Sequence, residues 1–176
     1  MEDKKARTID YYDTNAKKWS EVHHGDEQES YWKVEMDIFH KFLPSGKVLE
    51  VGSGSGKDAS ALLGLGYDYV GTDASRGLFE IAQKRNPGVE FRNKAVQDLD
   101  FEDDRFDGFW TAATLLHIPK NEIDDARQNI VRVVRQNSVG FISVKAGAGE
   151  REDEETGGGF RIIQVRDLRM FWKETS

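Results

Sequence analysis

The stretch Val48-Leu49-Glu50-Val51-Gly52-Ser53-Gly54-Ser55-Gly56-Lys57-Asp58 constrains this chain more than any other. An apolar run short enough for a buried strand leads into three glycines at alternate positions and then into a helix start. Glycine has no Cβ, so the backbone can turn tightly there and a ligand can lie against it. A phosphate-cradling loop needs Gly at 51 and Ser or Thr at 58 beside Gly56-Lys57, whereas the chain has Val51 and Asp58. A dinucleotide fingerprint needs glycine at 52, 54 and 57, and position 57 is Lys57. The first reading fails twice; the second is weakened and stays open.

Glu50 stands two residues before the first glycine. A carboxylate there is badly placed for a pyrophosphate and well placed for a cation. S-adenosylmethionine carries an α-amino group and a sulfonium, and no phosphate. The segment resembles the first motif of the class I S-adenosylmethionine-dependent methyltransferases. That resemblance implies an α/β fold: a doubly wound, Rossmann-like, mostly parallel sheet of order 3-2-1-4-5 with helices on both faces. It also implies a cofactor site built from Glu50, Gly52, Ser53, Gly54, Gly56 and Asp58. The alternative is a tight strand-to-helix turn with no ligand.

Tyr67 to Thr72 reads as the second strand, with Asp73 and Ala74 at its carboxyl end. Asp73 follows Gly52 at about the 20-residue offset where an acid meets a nucleoside ribose. A carboxylate accepts two hydrogen bonds from vicinal hydroxyls, which suits a ribose diol. Capping the helix that starts at Ser75 is the competing role. Arg76 hints at a 2′-phosphate but is expected to face solvent. After a short third strand, Val89 to Arg92, the family often places an acid for the adenine amino group. Counting back from Leu99 gives Ala95 there, so adenine contacts are expected from Val96 through its backbone and from Gln97 through its amide.

The second informative stretch runs from Phe106 to Pro119, a fourth strand ending near Thr111 and a loop through Ala112, Ala113, Thr114 and His117. It resembles the family's fourth motif and should face the glycine turn, since ligands bind where neighbouring strands diverge. Thr111 and Ala112 are the expected backbone contacts. The Asn/Asp-Pro-Pro pattern of enzymes that methylate base amino groups is absent. His117 has two open readings, a buried structural histidine or part of the methyl-acceptor pocket.

Flanking segments complete the outline. Residues 9–19 are helix-compatible, and Tyr11, Tyr12 and Trp19 either pack on the domain or form a lid over the cofactor. Trp32, Met36, Phe39 and Leu43 recur at helical spacing, as do Ile123, Ile130, Val133 and Val134 within a helix expected over 121–136. Gly140 to Lys145 is the fifth strand. Residues 150–159 read as an acidic, glycine-ended loop, and 165–175 as a last helix. Ser143, Lys145, Glu150, Arg151, Phe160 and Arg161 form a pattern similar to small-molecule methyltransferases described as tellurite-resistance-like. Lys145 and Arg161 are either solvated charges or anchors for an anionic acceptor; with Tyr11 and His117 they are the candidate acceptor residues.

The 176 residues are expected to form one domain, with 1–43 as a helical cap and 47–176 as the α/β core. No strands are assigned beyond the fifth, so the family's terminal hairpin is expected to be missing by truncation, leaving an exposed edge open to self-association or a partner strand. Lys plus Arg number 25 against 32 Asp plus Glu, a net charge of −7 that opposes non-specific nucleic-acid binding. There are no cysteines and only four histidines, two of them the adjacent His23-His24, so no metal is expected. No membrane span or secretory leader is seen, and a cytoplasmic location is the expectation. The function expected is methyl transfer from S-adenosylmethionine to a small molecule. A non-catalytic cofactor-binding module and a nicotinamide oxidoreductase are the rivals. No obligatory general base is visible, which suits an acceptor that is already nucleophilic, such as a thiolate or a metalloid oxyanion.

Overall fold

The computed structural model describes residues 4–22, 32–145 and 158–164. Helices α1 (Lys4–Val22) and α2 (Lys33–Phe42) precede β1 (Lys47–Val51), α3 (Ala59–Gly64), β2 (Asp68–Asp73), α4 (Arg76–Arg85) and β3 (Glu90–Asn93). Then come β4 (Phe106–Ala112), α5 (Ile123–Val133), β5 (Val134–Lys145) and β6 (Gly158–Gln164). The sheet order is β3-β2-β1-β4-β5-β6. The first five strands are parallel and β6 is antiparallel to β5. This is the Rossmann-like order that the sequence implies.

Strand alternation divides the core between the two faces of the sheet. Leu49, Val51 and Phe109 pack with Ala126, Ile130 and Val133 of α5 on one side. Val48, Trp110 and Phe141 pack with Met36 and Phe39 of α2, Leu62 of α3 and Ala82 of α4 on the other. Trp110 and Phe141 are stacked 3.8 Å apart at 15°. Both faces are covered, as a parallel sheet requires. Among the described residues no helix is long and apolar enough to cross a membrane.

Four expectations need correction. The fifth strand is not an edge: β6 runs beside it in register from Val139↔Gln164 to Lys145↔Gly158. Phe160-Arg161-Ile162-Ile163 is the strand-forming run that the sequence reading left unassigned between a glycine loop and a helix. Helix α5 stops at Val133 rather than continuing to Gln136, and β5 begins at once. While β4 advances from Phe106 to Gly108, β5 advances from Val134 to Val139, so the extra residues are absorbed as a bulge. Asn137 sits in it at φ 63°, a conformation that asparagine tolerates. Helix α1 already starts at Lys4, ahead of the helix-compatible residues 9–19. The His23-His24 pair, the acidic stretch 150–155 and the helix expected over 165–175 lie outside the described residues.

Candidate functional site

Gly52, Gly54 and Gly56 all adopt positive φ, at 75°, 54° and 72°. Space as well as backbone angle demands glycine at two of them. A Cβ on Gly52 would lie 2.1 Å from Thr114 Oγ1, and one on Gly56 would lie 2.6 Å from Asn86 Nδ2. Four amides of the turn already have internal acceptors. Gly52 N and Ser53 N both donate to Thr72 O at 2.8 Å, Gly56 N donates to Ser53 O at 2.9 Å, and Gly54 N donates to Asp73 Oδ2 at 2.7 Å. Four amides that a phosphate would need are therefore taken, one of them by a carboxylate that would repel it.

Three acids converge here. Glu50 is 3% exposed and accepts a hydrogen bond from the Tyr69 hydroxyl. Asp58 Oδ2 accepts from the Trp110 indole N–H at 3.2 Å. Asp73 Oδ1 accepts from Ser75 N at 2.8 Å while Oδ2 holds Gly54 N. Burial raises the Glu50 carboxyl well above its usual range, and the nearby Asp58 charge raises it further. Burial also raises Asp58. Asp73 is pushed up to about 6, chiefly by burial, with the amides of Ser75 and Gly54 pulling it partway back. Desolvated acids of like charge disfavour their own ionisation, and an incoming cation would offset that cost and favour their charged forms. Among the described residues no cluster has the make-up of a metal site.

The sequence-predicted residues divide into those the fold assembles and those it does not. The β4 loop does face the glycine turn. Thr114 Oγ1 donates to Ala112 O at 3.2 Å and reaches Gly52 O at 3.4 Å, and Ala113 takes the strained φ of 53°. Register sets Trp110 beside Glu50, which puts Thr111 and Ala112 at the lip of β1. Ser53 Oγ, Thr111 Oγ1 and Gln97 Oε1 are buried with no hydrogen-bond partner. Orphaned hydroxyls at Ser53, in the turn, and at Thr111, near the end of β4, suit a polar ligand. The Val96 side chain belongs to the core, leaving only its backbone for a ligand. Gln97 Nε2 is bound to Glu122 at 2.8 Å. Gln97 also borders an open polar groove with Asp98, Asp125, Gln128, Asn129 and Arg132, but no residue of the turn lines it.

Asp73 does not cap α4. That role belongs to Ser75, whose hydroxyl accepts from Leu78 N at 3.2 Å. Asn93 braces the same corner, donating to Asp73 O and Ala74 O at 2.8 and 3.0 Å. Arg76 pairs with Glu80 at the surface. His117 Nε2 is hydrogen-bonded to the Tyr12 hydroxyl at 3.1 Å, and Trp19 lies against Gly54. Tyr11 is 59% exposed. Lys145 and Arg161 lie at separate rungs of the β5–β6 ladder, opposite Gly158 and Ile142. Sequence reasoning missed Asp13, Tyr69, Arg85, Asn93 and Trp110. Tyr69 had a usable signal, since strand alternation places it on the Glu50 side of the neighbouring strand.

A model of the methyltransferase domain family matches residues 48–137, just over half of the chain. Demethylmenaquinone methyltransferase of Clavibacter sepedonicus is 31% identical over 102 residues, covering 55% of this chain and 42% of that protein. The uncharacterized protein MJ1123 of Methanocaldococcus jannaschii is 32% identical over 110 residues, covering 61% and 50%. A SAM-dependent methyltransferase of Methanosarcina mazei superposes with a TM-score of 0.56 at 25% identity, covering 60% of this chain and 56% of that one. The chain thus spans half or less of the length of the curated relatives it matches.

Proposed function

The chain belongs to the methyltransferase domain family, and from that premise we propose that it transfers the sulfonium methyl of S-adenosylmethionine to a small-molecule acceptor. The observation that carries this reading is the glycine turn whose amides are already taken, ringed by Glu50, Asp58 and Asp73. Such a site suits an organic cation and opposes a pyrophosphate, so it also speaks against the nicotinamide alternative. When bound, S-adenosylmethionine supplies an electrophilic methyl.

The residues present fit that group. Each oxygen of Asp73 accepts one amide and keeps a lone pair for a ribose hydroxyl. Glu50 and Asp58 face the cationic end, and Ser53 and Thr111 contribute hydroxyls with no other partner. Val96 and Gln97 border the adenine end, and Thr111 and Ala112 line the methyl. Helix α1, with Trp19 on Gly54 and Tyr12 on His117, roofs the turn and excludes water. Positive charge disperses as a methyl leaves sulfur, so a dry cleft favours the transfer. The whole of 1–176 is read as one unit, with α1 as its cap.

The acceptor is narrowed by two considerations. The pattern of Ser143, Lys145, Phe160 and Arg161 supports the tellurite-resistance-like subgroup, and the β5–β6 register sets Phe160 beside Ser143. The demethylmenaquinone methyltransferase relatives favour a hydroxylated ring instead. A tritium-methyl transfer screen over thiols, metalloid oxyanions, small amines and quinols decides between them. Calorimetric titration with S-adenosylhomocysteine tests the site itself, and no binding to the full chain defeats the proposal. Binding without transfer to any acceptor would favour the non-catalytic module.

A further inference from the structure

Arg85, the last residue of α4, touches two other segments at once. Its Nη1 donates to Ser55 O at 3.1 Å and to Ser55 Oγ at 2.7 Å, inside the glycine turn. Its Nη2 donates to Ser20 Oγ on α1 at 3.0 Å. Both serines are buried, at 3% and 5% exposure. Among the described residues Arg85 forms no ion pair, although the chain carries 32 acids. A guanidinium fork committed to neutral oxygens fixes geometry rather than charge balance, and its planar spread reaches two segments where a lysine reaches one.

The opposite end of α4 is clamped to the same helix. Asp13 accepts from Ser75 Oγ at 2.6 Å and from Gly77 N at 3.0 Å. A Cβ on Gly77 would fall 2.8 Å from the Ala16 Cβ, so α1 and α4 touch closely between the two clamps. The Asp13 clamp stays on the start of α4. The Arg85 clamp continues into the turn.

We propose that Arg85 is a positioning residue that ties α1 to the glycine turn, making closure of the roof and shaping of the cofactor cradle one event. This rests on the reading that the turn holds S-adenosylmethionine. A substitution on α1 that touches neither turn nor ligand should then be felt in the turn.

Ser20→Ala provides that test in the full chain. Amide hydrogen exchange over 52–58 should quicken severalfold, and S-adenosylhomocysteine should bind about fivefold more weakly by calorimetry, the scale of one charge-assisted hydrogen bond partly replaced by water. Arg85→Met should weaken binding about tenfold or more, with Arg85→Lys in between. In the Arg85→Met background Ser20→Ala should add nothing, because the link it cuts is already gone. Additivity in that background would mean that the two side chains act separately, and it overturns the proposal. So does unchanged exchange over 52–58 in Ser20→Ala. If the unsubstituted chain binds no S-adenosylhomocysteine, the functional reading falls, and the exchange measurement alone still decides for or against the link.

Discussion

The two lips of the cleft are built differently. On the β1–β2 side, the turn, Asp73, Ser75, Asn93, Asp13 and Arg85 form a continuous hydrogen-bonded frame. On the β4 side, the chain presents small residues, an alanine at φ 53° and the Tyr12–His117 bond to α1. A lip that must hold one invariant ligand gains from being preorganised, because little ordering remains to oppose binding. A lip that admits an acceptor gains from space. Under the proposed function, the cofactor is held mainly by the framed side and substrate choice falls to the open one.

The sharpest way to break this comparison is Asp73→Ala. It removes the acceptor of Gly54 N and Ser75 N together with the proposed ribose partner, and S-adenosylhomocysteine affinity should fall about a hundredfold or more by calorimetry. An unchanged affinity would move the cofactor off the framed side. Gly52→Ala probes the place where the two lips touch. Positive φ and the Thr114 clash together should cost roughly 2–4 kcal/mol in denaturant unfolding. Adding Thr114→Ala should recover only part of the steric cost, because the Thr114 Cβ itself would lie 2.7 Å from the new methyl, whereas Thr114→Gly should leave mainly the backbone cost of about 1 kcal/mol.

Protonation offers a gentler probe. Asp73 is raised from 3.8 to about 6, so its charged form is disfavoured in the empty fold. This group's contribution to stability therefore falls as pH rises from 3.8 to about 6 and is level above that. A ligand that needs the carboxylate shows the reverse trend. Binding of S-adenosylhomocysteine should strengthen up to tenfold per unit as pH rises towards 6 and flatten above it, and Asp73→Asn should abolish that slope. The smallest effect belongs to Tyr12→Phe, which cuts the Tyr12–His117 hydrogen bond between α1 and the β4 lip. Cofactor affinity should change less than about threefold, with any larger change confined to acceptor turnover.

Much of the fold was legible because it follows local rules. Apolar runs, the glycine spacing and the offset from Gly52 to Asp73 placed the first five strands along the chain, and their order in the sheet came from the family resemblance. The end of α5 was misjudged since Val134 and Gln136 fit a helix pattern as well as a strand, and only pairing with Phe106 settles which. Strand β6 was missed for the same reason: a short apolar run declares itself only when a neighbour offers hydrogen bonds. Within the site, the glycines and acids were named from sequence. Their state was not, since the raised Glu50 carboxyl depends on Tyr69 and Asp58 folding against it.

By itself, then, the sequence determined which backbone positions must be glycine and where the acids would fall along the strands, because sterics and strand period act over a few residues. Tertiary structure decided the clamps. Arg85 meets Ser20 across 65 positions and Asp13 meets Ser75 across 62, separations over which no local pattern carries information. Those contacts exist because α1 finds a groove along α4 that only the finished sheet holds in place.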